Sequence, residues 1–124
     1  MKQWLYIILG AGAGGACRYT ISILTSGLMT TSGTLIANYI GCFGIGFMWL
    51  LLESSQIDRT LVLGISVGFL GSLTTFSTYQ LELFRMIKDQ IYLEALLYFT
   101  VSNLGGFLLV ILGYYSARLM ITAN

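Results

Sequence analysis

The sequence is poor in charge: 9% of its 124 residues are Asp, Glu, Lys or Arg, against 56% hydrophobic. A water-soluble domain of this length needs many more charges to cover its surface, so the soluble classes recede. Histidine and proline are absent. Without histidine, and with no Asp or Glu expected near the middle of an apolar stretch or serine in a nucleophile elbow, acid–base, metal and acyl-transfer chemistry lack their groups, and the chain is not read as an enzyme. Cysteine is scarce. Cys17 and Cys42 lie inside apolar stretches with neither a metal-type spacing nor a disulfide framework, and read as small buried hydrophobes. A net charge of +1 points to neither nucleic acid nor an acidic partner.

What the chain does have is long apolar runs. Charges punctuate it into four spans, at about 4–27, 33–52, 60–84 and 95–117, of which the first holds only Arg18, the third only Glu82, and the others no charge. Each reaches the roughly 20 residues a helix needs to cross about 30 Å of hydrocarbon. The first is too long for a signal peptide and is read as a retained span. The connections, around Leu28 to Ser32, Glu53 to Arg59 and Arg85 to Glu94, leave no room for a soluble domain. The expectation is a single all-α transmembrane domain over 1–124, acting within the bilayer. Lys2, Arg59 and Arg118 fall on one side of such a bundle and Arg18, Arg85 and Lys88 on the other. That balance gives no strong orientation signal, and predicts copies that insert both ways and pair head to tail.

Glycines recur along the spans, with GxxxG pairs at Gly10 and Gly14 and at Gly64 and Gly68. Small residues at this spacing let helices approach closely in lipid. Polar groups inside hydrocarbon need a partner or water, and here they cluster. The densest run is Gly71-Ser72-Leu73-Thr74-Thr75-Phe76-Ser77-Thr78-Tyr79 in the third span. Its hydroxyls compete for backbone groups and predict a break; the alternative is a kinked helix whose hydroxyls bond back to their own backbone. A break would offer carbonyls to a cation and amides to an anion. Asn38, mid-way along the second span, suits an interhelical hydrogen bond or the replacement of water around an ion. Tyr98, Ser102 and Asn103 add polar groups to the fourth span, with Tyr98 and Ser102 on one face. Arg18 is read as snorkelling, lining a vestibule, or serving structure and topology.

Three motifs carry a resemblance: Gly14-Gly15-Ala16-Cys17-Arg18-Tyr19, then Gly33-Thr34-Leu35 with Asn38 and Gly41, then Gly68 through Tyr79 with its Thr74-Thr75-Phe76-Ser77-Thr78 core. In these the chain resembles the Fluc (CrcB) family of fluoride channels. The resemblance implies an antiparallel, dual-topology dimer with two fluoride pathways. It also implies a structural sodium ion at the dimer centre, held by the backbone carbonyls of Gly71 and Thr74. The implied fluoride pathway comprises Asn38, Phe76 and Tyr79, with Ser77, Thr78, Tyr98 and Ser102 as a polar track. An aromatic ring edge is positive enough to face an anion without trapping it. Two positions depart from the family pattern: Tyr79 stands for the usual phenylalanine and Ser72 for a usual glycine.

The expected function is therefore passive export of fluoride across a prokaryotic plasma (inner) membrane, by a homodimer or by a heterodimer with a distinct partner chain. The alternatives are a small proton-coupled drug or cation transporter, disfavoured by a first span without a carboxylate, and a non-conducting subunit of a heterodimeric channel.

Overall fold

In the computed structural model, residues 1–29, 31–54 and 57–122 are described. The expected connections at 28–32 and 53–59 each include residues outside this set. The described residues hold four helices long and apolar enough to cross a membrane: Lys2–Leu24, Ser32–Glu53, Arg59–Lys88 and Tyr92–Thr122. The first two are single α-helices, α1 (Lys2–Leu24) and α2 (Ser32–Glu53). The third is composite: α3 (Arg59–Leu63), a π-helical segment π1 (Gly64–Leu70), α4 (Gly71–Leu73) and α5 (Phe76–Lys88). The fourth comprises α6 (Tyr92–Thr100), a second π-helical segment π2 (Val101–Gly105) and α7 (Gly106–Thr122).

Local chemistry sets the ends. Asp58 caps α3, its Oδ1 accepting the amides of Thr60 at 2.9 Å and Leu61 at 3.2 Å. At the other end of this span helix continues further than the expected 84, to Lys88, with Arg85 and Lys88 in the last turn beside the carbonyl pole. Gln90 then takes φ 63°, Ile91 N donates to Met86 O at 2.9 Å, and Gln90 N to Ile87 O at 3.1 Å. This is the Schellman closure, with glutamine where glycine is the usual choice. The segment expected to connect spans three and four is thus mostly helix around a tight turn.

Packing relies on backbone contact. α1 lies against π1, and a methyl group on Gly14 would run into the Phe69 carbonyl. α2 lies against α7, where a methyl group on Gly46 would meet the Val110 carbonyl. Such approach replaces the hydrophobic drive that lipid removes. The buried core is correspondingly small. Ala37, Met48, Leu51, Val62, Leu70 and Leu73 form one cluster, and Tyr79, Leu83, Ala95 and Tyr98 another. Large apolar side chains such as Trp4, Trp49 and Phe107 face outward, as a hydrocarbon solvent allows.

Candidate functional site

Between α4 and α5 the backbone leaves helical geometry. Thr74 (φ −79°, ψ 154°) and Thr75 (φ −148°, ψ 110°) are extended. Such a step exposes backbone groups that hydrocarbon cannot satisfy. Asn38 on α2 supplies partners for Thr75: the Thr75 amide donates to Asn38 Oδ1 at 2.8 Å, and Asn38 Nδ2 donates to the Thr75 carbonyl at 3.3 Å. Each end of the side chain meets a backbone group of fixed polarity, so its orientation is dictated by its partners. Thr75 Oγ1 then accepts the Thr78 amide at 3.3 Å and donates to Thr78 Oγ1 at 2.9 Å, starting α5.

These bonds divert two donors. In a continuous α-helix the Thr75 amide would serve the Gly71 carbonyl, and the Thr78 amide that of Thr74. The first instead goes to Asn38 and the second to a threonine hydroxyl. The Gly71 and Thr74 carbonyls are left as oxygen acceptors without their helical donors.

Beside the step lies a cavity of about 450 Å³ whose lining includes Asn38, Gly71, Thr74, Phe76, Tyr79, Ser102 and Asn103. The Phe76 ring is 74% exposed, whereas Tyr79 is 5% exposed. The Tyr79 ring lies 6.0 Å from that of Phe76 and meets Tyr98 edge-on at 5.3 Å. Asn103 Nδ2 donates to the Tyr79 hydroxyl at 2.8 Å, and the buried Ser102 Oγ has no hydrogen-bond partner among the described residues.

Next to this cavity, the buried carboxylate of Glu82 joins three helices. Oε1 accepts from Thr34 Oγ1 on α2, and Oε2 from the Tyr98 hydroxyl on α6, both at 2.7 Å.

Residues 5–114 match the family model described as CrcB-like protein, Camphor Resistance (CrcB). The chain belongs to the CrcB family. It is 41% identical to the fluoride-specific ion channel FluC of Salinibacter ruber, over 91% of this chain and 87% of that one. It is 42% identical to fluoride-specific ion channel FluC 1 of Staphylococcus aureus (strain NCTC 8325), over 90% and 93%, and 41% identical to FluC of Pelobacter propionicus, over 98% and 97%.

Within this CrcB fold the residues singled out by sequence separate into groups. Asn38, Gly71, Thr74, Phe76, Tyr79 and Ser102 share the cavity. Ser77 and Thr78 do not line it; both hydroxyls lie by Thr75 Oγ1, at 3.5 and 2.9 Å. Tyr98 stands behind Tyr79 and serves Glu82. Arg18 is half-buried on α1, away from the cavity lining. Glu82, expected near the end of the third span, lies further inside its helix, because α5 continues past it to Lys88, and it is buried. Its signal was legible, as the only charge between 60 and 84 and therefore a group needing a partner. Asn103 was named only as a polar group of the fourth span and Thr34 only within a motif, and neither was given a partner.

Proposed function

We propose that this chain is one half of a fluoride channel, in which two copies inserted in opposite orientations let fluoride leave a prokaryotic cytoplasm through the plasma membrane. The observation that carries the reading is the cavity at the Thr74–Thr75 step, where amide and hydroxyl groups converge beside aromatic rings in an otherwise apolar span. Membership of a family whose relatives are named fluoride-specific ion channels supplies the ion. On this reading the third span works as two half-helices. The step, Phe76 and the exposed Gly71 then require cover from a second copy, because lipid cannot satisfy backbone carbonyls whose helical donors are diverted.

A sodium ion at the dimer centre fits the same geometry. Hard cations take oxygen ligands, and the Gly71 and Thr74 carbonyls are acceptors whose helical donors are diverted. Two carbonyls from each copy would make four ligands. Bound there, sodium would supply a fixed positive charge; Asn38 positions the backbone that carries the Thr74 side of the site.

The test is fluoride efflux from liposomes holding only this protein, with sodium present. Efflux insensitive to an imposed proton gradient is expected. Dependence on that gradient would favour a proton-coupled transporter, with the Glu82 carboxylate its natural carrier. Silence alone, relieved by co-expression with a homologous chain, would make the channel a heterodimer; silence in both cases would end the channel reading.

A further inference from the structure

Tyr79 is buried to 5% exposure, yet its hydroxyl has a single partner among the described residues, Asn103 Nδ2 at 2.8 Å. Which atom donates is settled by the rest of Asn103. The same nitrogen lies 2.7 Å from the Phe99 carbonyl, which can only accept. The atom between them is therefore the amide nitrogen, and both its hydrogens are used. The Tyr79 oxygen must accept from it, so the phenolic hydrogen points elsewhere and meets no acceptor among the described residues. The neighbouring Ser102 Oγ is also buried without a hydrogen-bond partner among the described residues, and both side chains line the cavity.

We infer that Asn103 is a positioning residue that fixes Tyr79 as a hydroxyl donor to the anion, making with Ser102 a station for a small, strongly hydrated anion such as fluoride. This deepens the channel reading and rests on it. The physical logic is polarity by exclusion. A phenol free to rotate can donate to a side chain or accept from one, whereas a phenol whose lone pair is occupied by an amide N–H keeps its hydrogen for an acceptor brought from outside. Accepting that bond also strengthens the phenol as a donor, because hydrogen bonds in a chain polarise one another. Two such hydroxyls, with no acceptor bonded among the described residues, can replace part of the water shell of an anion and offer nothing to a cation beyond lone pairs. π2 serves the arrangement by carrying Ser102 and Asn103 on consecutive residues, both facing one cavity.

The experiment is a double-mutant cycle on fluoride currents through the full channel in planar bilayers, read as the half-saturating fluoride concentration, with dimer assembly checked by size-exclusion chromatography. Tyr79→Phe should raise that concentration about tenfold, the scale of one hydrogen bond to a charged group. Asn103→Leu should raise it comparably beside Tyr79 and leave it unchanged beside Phe at position 79. Equal effects of Asn103→Leu in both backgrounds would reduce Asn103 to a packing residue and overturn the inference. So would an unchanged half-saturating concentration in Tyr79→Phe. A wild-type chain that passes no fluoride would overturn the channel reading and this inference with it.

Discussion

Asn38→Ala tests the clamp on the extended step directly. The substitution keeps the Cβ and removes both bonds to Thr75, a residue only 7% exposed. Buried backbone groups left unpaired cost about 1–3 kcal/mol each by the soluble-protein scale. Interhelical bonds in membranes average nearer ~0.6 kcal/mol, because the unfolded chain in lipid also finds partners. Two groups between these limits give an expected loss of about 2 kcal/mol. The assay is reversible unfolding in mixed micelles by titration with a denaturing detergent, followed by helical circular dichroism. Ser102→Ala is the control: its hydroxyl has no partner among the described residues, so stability should hold within about 0.5 kcal/mol. An Asn38→Ala protein as stable as the Ser102→Ala protein would refute the reasoning. The step would then hold itself, and Asn38 would be free for the ion.

Other perturbations probe separate parts of the structure. Glu82→Leu removes the acceptor of both the Thr34 and Tyr98 hydroxyls and should cost about 1–3 kcal/mol in the same unfolding assay, with Glu82→Gln recovering part of the loss. Gly46→Ala pushes a methyl group against the Val110 carbonyl and should destabilise by about 1–3 kcal/mol, whereas Gly12→Ala, with open space at its Cβ, should cost nothing measurable. Gln90→Gly relieves a left-handed residue at the turn after α5 and should stabilise by about 1 kcal/mol, seen as a higher unfolding midpoint. Phe76→Ile should impair fluoride efflux while leaving assembly intact, since the ring is 74% exposed in the chain and contributes little to its core.

The four membrane-length helices were legible because hydrocarbon imposes a simple demand, about 20 apolar residues without charge, and the charges here mark where that demand ends. Ends were less legible. Helix runs on to Lys88 because a Schellman turn needs only one left-handed residue, and Gln90 does not advertise it as glycine would. The π segments were invisible, since the same residues suit an α-helix locally. At the site, Asn38 stood out as a polar group in hydrocarbon, but its partner is backbone, and backbone has no sequence signature. The Asn103–Tyr79 bond was hidden for a related reason. It joins residues 24 positions apart on different spans, and which of the two donates follows from a third group, the Phe99 carbonyl.

The helical hairpin closed at Asp89 and Gln90 has a practical consequence. The span before it covers 30 residues and the one after it 31, each more than the roughly 20 that a helix needs to cross about 30 Å of hydrocarbon. A turn that joins two successive spans lies at one face of the bilayer only. Introduced as Gln90→Cys and exposed to an impermeant maleimide on sealed vesicles, it becomes a compass for each molecule. Labelling of about half the population, rising to all of it once the vesicles are opened, is the outcome for a protein whose copies point both ways.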